Sequence, residues 1–510
     1  MEKFLLVALL LTGSYYDLAG KSKPENARLL VAQSLQAMGG MEKLKALHHL
    51  SLSGIGHTYM LEQSERPEGP WIVNYQQVRQ LRDYRHQRLH TTRESRNTQQ
   101  PAWSPVTTVY AEGTVAVLTP NGEYAPGRAT MAEEAKEALQ LAPEQVLLAA
   151  HHAPDLQQLA DTLIQGVPHQ GVAFRLQQNR VKLYLNRHTH LPTLLSSTRA
   201  FPQDLMWSVW GDVRSDMYYS FWSLQPEGLY YPLQYNLHRN GQPYQELTVL
   251  TLQINPAVPA DTFAMPQQVK EQFAAQPLQD FNALPLGRPD RPAQELAPGL
   301  MQIPGYWNVA VIRQDDGVVL LEAPISGGYT AKALAEAKRL YPDLKMKAVI
   351  STSDAWPHLA GVREAVAQKL PVYLLQENKP ILQRLVSAPF ASHPDQLEKH
   401  RQKPLFKAVG GKTVLGKGAN RMELYPIRGE AGERMMMVYF PEHRLLYASD
   451  LVQLMRDGSF FQPAYVAEVV AAVKREGLQV KRVFAMHTGV IPYSRLLEAV
   501  ATASASGSQR

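Results

Sequence analysis

The chain changes rhythm across a proline-rich stretch, and that change limits what it can fold into. Residues 276–298 hold five prolines in a polar setting. Each proline locks φ and removes a backbone donor, which suits a linker. Upstream, over 49–265, short runs rich in Val, Tyr, Leu and Thr alternate with turn residues. Asn-Gly at 121–122 and at 240–241 are hairpin signals. Downstream, compact apolar runs at 309–312, 318–321, 348–351 and 371–375 alternate with helical patterns at 331–340 and 362–369. Strands that alternate with helices imply an α/β unit. At 510 residues the chain also exceeds a single core, which stops growing near roughly 250–300 residues. The expectation is two domains: a β-rich antiparallel domain over 25–269 and an α/β domain over 298–500, joined by a linker at 270–297. A small polar tail at 501–510 is expected to lack structure.

In the first domain a helix is expected where Ala27, Leu30, Val31, Leu35 and Met38 share one face, ending at Gly39-Gly40. A helical interruption is expected over 131–163. The rest reads as a curved or half-closed antiparallel sheet with helices on one side.

Composition closes off several classes of function. Lys+Arg minus Asp+Glu is 52 − 46 = +6, with no long basic stripe, so nucleic acid is excluded as a partner. There is no cysteine, hence no disulfide, thiolate metal site or cysteine nucleophile. The start, Met1-Glu2-Lys3 and an apolar run over 4–11 broken at Thr12-Gly13-Ser14, reads as a signal peptide of residues 1–20. That run is well short of the roughly 20 residues that span a bilayer. The chain is thus expected to be exported, periplasmic or secreted, with no transmembrane span after signal removal.

The informative stretch is Ala348-Val-Ile-Ser-Thr-Ser-Asp-Ala-Trp-Pro-His-Leu-Ala-Gly361, an apolar strand followed by a polar loop and a helix start. It resembles the metallo-β-lactamase-fold family, whose motif Thr-His-x-His-x-Asp-His-x-Gly-Gly follows such a strand. Thr352, His358 and Gly361 match. The run ending in Ser449-Asp450 is similar to the family's strand leading to its metal-bridging Asp. The run ending in Met486-His487 is similar to its closing strand with the final His. Gln302 to Gly305 and Val318 to Pro324 resemble its opening strands. The resemblance covers about 298–500 and implies an αββα sandwich.

The departures are as informative as the matches. Ser353 and Ala355 stand where the family has His, and Pro357 stands where its water-orienting Asp is placed. No His occurs near Glu430-Ala431, where another is expected. By the resemblance, four of seven ligand positions are lost. His358, Asp450 and His487 remain, and all three belong to the family's second metal site. Two His and one carboxylate form a known set for one zinc or iron ion. Asp354 or Glu430 could add an oxygen. The alternative is a metal-free site in which the three persist as hydrogen-bonding structure.

The first domain resembles exported proteins of the lipoprotein-carrier type in Ala32 to Gly40, Tyr184 to Thr193, Gly228 to Pro232 with Asn255, and Phe263 to Pro266. That resemblance implies a lipid or other apolar ligand held against the sheet, with Trp207, Trp210 and Trp222 as candidate lining residues.

The expected fold class is therefore α+β and α/β. Two functions follow. One is a hydrolase-like protein with a reduced metal site, acting on a small ester, lactone or amide or else catalytically silent. The other is a non-catalytic periplasmic carrier.

Overall fold

The computed structural model describes residues 24–62, 69–98 and 100–507. The expected signal peptide, residues 1–20, lies outside them. The first helix, Pro24–Ala37, buries Ala27, Leu30, Val31 and Leu35, with Met38 buried just beyond its end, as the 3.6-residue spacing requires. It stops where Gly39 and Gly40 take φ of +123° and +96°, a region open to glycine at no steric cost.

Among the described residues, the strands between His49 and Ile254 form one 14-stranded sheet. It is two meanders joined at the middle, where His49–Met60 pairs antiparallel with both Ile72–Asp83 and Gln242–Ile254. Asn240-Gly241 makes the turn before Gln242–Ile254, with φ of +49° and +80°. Such a turn matches the twist of the strands it joins. The helical interruption is split into Ala129–Gln140 and Pro143–His152, and the chain is back in strands at Gln157–Gln158 and Thr162–Ile164.

The second half builds a 7-stranded and a 6-stranded sheet. They share a core that joins Leu300, Ile312, Leu321 and Ile350 of one to Leu424, Val438, Phe440 and Phe484 of the other. The other face of the first packs on Gly327–Leu340 and Lys379–Ser387, through residues such as Val311, Leu320, Ala333 and Leu382. The other face of the second packs on Pro463–Arg475, through Tyr439, Leu446 and Val469.

These pairings correct the expected fold class of α+β and α/β. The largest body is antiparallel throughout, and its strand order runs from one edge to another without closing, so the pairing does not give the expected curved or half-closed sheet. In the two smaller sheets seven strand pairings are antiparallel and four are parallel. Strand–helix alternation holds around Gly317–Leu321, Met346–Ser351 and Pro371–Leu375, and again where the helix Pro463–Arg475 joins the parallel strands Leu445–Tyr447 and Arg482–Phe484. Elsewhere strands follow one another by short turns, which leaves no room for the crossover that parallel pairing needs.

The segment expected as a linker at 270–297 begins inside the helix Gln267–Ala274 and ends as the strand Gln294–Ala297. Between them Phe281, Leu284 and Leu286 pack on the second-half core, and Lys332 Nζ donates to the carbonyls of Asn282 and Leu284. The expected tail at 501–510 is helical as far as Gly507, the end of Ser494–Gly507. Its alanines favour continuing a helix already begun.

Candidate metal centre

His358 sits on the short helix Trp356–Leu359, immediately after the strand Met346–Ser351 and its loop. Pro357 occupies the first turn, where a missing N–H is tolerated. Asp450 follows the strand Leu445–Tyr447 after a sharp bend at Ser449, which takes φ of +54°. His487 follows the strand Arg482–Phe484. All three thus lie at strand ends, where backbone pairing stops and side chains of neighbouring strands can converge.

The loops that carry them are tied together. Thr352 Oγ1 lies 2.7 Å from Ser449 Oγ and also donates to the buried Glu322 carboxylate. Met436 N donates to Thr352 O at 3.0 Å, and Met486 N donates to Ser449 O at 3.0 Å. Asn308 Nδ2 holds the carbonyls of Ala485 and Thr488 at 3.0 and 3.3 Å.

The three side chains meet. One donor atom from each of His358, Asp450 and His487 lies within 4.8 Å of the others. His358 Nδ1 is 3.6 Å from Asp450 Oδ2, and His487 Nε2 is 2.7 Å from Asp450 Oδ1. His358 is 4% exposed, and its Nδ1 has no hydrogen-bond partner. Burial pushes its pKa down to about 4, against the pull of Asp450, so the ring is neutral at pH 7. Burial works against the charge of Asp450, but His358 and His487 beside it hold the carboxyl below the usual range. Trp307 Nε1 donates to His487 Nε2 at 3.1 Å, the same nitrogen that faces Asp450. One nitrogen cannot accept from the indole and donate to the carboxylate at once. The chain's own groups therefore leave one partner short, and the orphaned Nδ1 of His358 is a second unmet need. A cation bound by two neutral imidazoles and a carboxylate fits this donor set.

The group opens onto a cavity of about 220 Å³. Ala355, Pro357, Met435, Leu451 and Phe461 make its apolar wall, and Gln453, Gln462 and Tyr465 its polar one. Asp354 lines the cavity but is outside the three-residue group. Glu430 is exposed and does not reach it. Its turn is pinned from the other side, where the backbone N–H of Ala431 and of Gly432 donate to Glu468 at 3.0 and 2.8 Å. Neither candidate fourth oxygen joins the three. Ser353 is buried, and its Oγ accepts from Ala355 N at 3.2 Å, away from any ligand role.

The tryptophans expected to line an apolar ligand do something else. Trp207 and Trp210 are buried and stand edge-on to Trp356, with ring centroids 5.0 and 5.1 Å away. They join the two halves of the chain. Trp222 packs on the core of the first sheet.

Two contributors escaped the sequence reading. Trp307, in the turn between the strands Leu300–Ile303 and Val309–Gln314, had a weak cue in its neighbours Pro304-Gly305. Glu62 reaches the cavity from the first half, and no local pattern announces it. Burial pushes its carboxyl up to about 7.

No family model and no curated protein matches the chain. Solved structures do. The DIM-1 metallo-β-lactamase is 14% identical, over 44% of this chain and 99% of its own, with a TM-score of 0.33. The metallo-β-lactamase TMB-1 is 16% identical, over 42% and 97%, with a TM-score of 0.33. The sec-alkylsulfatase Pisa1 from Pseudomonas sp. is 16% identical, over 42% and 41%, with a TM-score of 0.31. The neighbours are thus metallo-β-lactamase-fold proteins, at an overlap that identifies neither a family nor a reaction for this chain.

Proposed function

We propose that His358, Asp450 and His487 hold one zinc or iron ion, and that the cavity around them hosts hydrolysis of a small ester, lactone or amide. The observation that carries this reading is the meeting of three chain-distant donor atoms around a buried imidazole nitrogen with no partner. The sequence resemblance to the metallo-β-lactamase family supports it, since the three residues retained are those of one site. When bound, the ion polarises a substrate oxygen and makes bound water acidic.

The chain's own groups divide the remaining work. Burial keeps His358 neutral and its lone pair available. Asp450 stays ionised and supplies the only negative charge of the set. The indole of Trp307 holds the His487 ring in place. The apolar wall excludes water from the substrate, and the two glutamines and Tyr465 orient its polar atoms. Glu62, half-protonated near neutral pH, can hold or release a proton beside the reacting atoms.

The test is elemental analysis of protein purified without added metal. About one zinc or iron per chain is expected, lost in His487→Ala; less than about a tenth of that in the unmutated chain overturns the reading. A second reading, a metal-holding relative without hydrolytic activity, is favoured by Pro357 at the place of the family's water-orienting carboxylate. Stoichiometric metal with no turnover across esters, lactones and amides, and no change in Glu62→Gln, selects it.

A further inference from the structure

The first sheet carries a second cavity, of about 420 Å³, between its face and the helix Ala129–Gln140. That volume is in the range of small-molecule sites. A sheet face covered by a helix ordinarily presents apolar side chains. Here the alternation of the strands puts Gln76 and Arg82, Arg93, and Tyr235 and Arg239 on the covered face instead.

Several of these groups lack what buried polar atoms need. Arg82 and Arg239 are each 5% exposed, Gln76 6% and Tyr235 8%. The Nε atoms of Arg93 and Arg239, the Oε1 of Gln76 and the hydroxyl of Tyr235 have no hydrogen-bond partner. Arg82 donates to the neutral Oε1 of Gln80, at 2.8 and 3.1 Å, and lies beside the Tyr84 hydroxyl, while among the described residues it forms no ion pair with a carboxylate.

The acids on the lining do not balance this. Glu137 is taken by Arg199, 2.5 Å away, with Arg239 at 3.7 Å. Glu134 is exposed and lies 4.0 Å from Arg93, a distant partner screened by solvent. Guanidinium stays charged when buried, so an excess of positive charge faces the cavity at an energetic cost that a bound anion would remove.

We propose that this cavity binds an organic anion, with a carboxylate, sulfate or phosphate head held by Arg82, Arg93 and Arg239. A short apolar body would lie against Met131, Leu141, Leu237 and Leu247, which line the rest of the wall. Guanidinium forks match planar and tetrahedral oxyanions alike by paired hydrogen bonds. The site is separate from the metal centre and does not depend on it.

The test is calorimetric titration of the full chain with decanoate, decyl sulfate and decanol, which share one chain length. One anion per chain is expected, with decanol at least about tenfold weaker, a difference of about 1.4 kcal/mol. Preference for decyl sulfate assigns a tetrahedral head, and preference for decanoate a carboxylate. Arg82→Gln and Arg93→Gln should each weaken the anion about tenfold and leave decanol unchanged. Should Arg82→Gln fail to fold, Arg93→Gln decides, since its side chain is 35% exposed and tolerates change. Decanol binding as tightly as both anions, no binding by any of the three, or an unchanged affinity in Arg93→Gln overturns the proposal.

Discussion

Glu322 shows how a single buried group can set a pH limit without touching a substrate. It is wholly buried, takes φ of +75°, and lies against Thr352, in the loop that leads to His358. Burial pushes its carboxyl up to about 8, although Thr352 hydrogen bonds favour the charge. The folded state therefore holds a proton that the unfolded chain releases near its ordinary value of 4.5. Stability from this group is complete below that value and is lost as pH rises toward about 8. The slope is at most about 1.4 kcal/mol per pH unit for one proton. Glu322→Gln should flatten this loss, read as denaturant midpoints at pH 5, 6, 7 and 8. A slope equal to that of the unmutated chain would exclude Glu322 as its source. At this scale His358, Asp450 and His487 were legible through the resemblance of their segments to the metallo-β-lactamase motifs. Trp307 and Glu62 were not, because what makes them matter is a neighbour far along the chain.

The elements show where local pattern suffices and where packing takes over. The first helix, the Asn-Gly hairpin and the strand before His358 form where periodicity and turn chemistry put them. The presumed linker and tail did not stay loose, since their apolar and alanine residues found surfaces or a helix to extend. Gly361 marks the tightest contact between elements at the site. A β-carbon there would lie 1.8 Å from Thr330 Oγ1 and 2.9 Å from the carbonyl of Ala323. Only glycine lets the start of Val362–Ala367 seat against Gly327–Leu340. Gly361→Ala should cost about 1–3 kcal/mol, as overpacking does, measured by chemical denaturation. A loss under about 0.5 kcal/mol would show that the two helices can part freely.

At the scale of the whole molecule, the halves share one core. Leu61, Phe201, Trp207, Val209, Trp210 and Val213 cluster with the second half's Trp356, Leu382 and Ala388. Asp212 adds backbone and side-chain bonds, its N–H to Pro389 O at 2.8 Å and its Oδ2 from Ser392 N at 3.1 Å. Trp356 stands two residues before His358 on the same short helix, so the joint between the halves also positions one of the three proposed donors. Trp356→Ala should cost about 3–5 kcal/mol and lower metal content together, measured by denaturation and elemental analysis of one preparation. Full metal with lost stability would separate the joint from the site.

By itself the sequence determined the change of texture near residue 276, the turns and the buried strand faces. Those are local: spacing, turn chemistry and hydrophobicity act within a few residues. Only the tertiary structure decided that the first half is one open sheet, that the tryptophans seal a joint, and that arginines face a covered cavity. The pairing of His49–Met60 with Gln242–Ile254, the edge-on packing of Trp207 on Trp356 and the pairing of Arg199 with Glu137 are contacts between residues far apart in the chain, which no local spacing records.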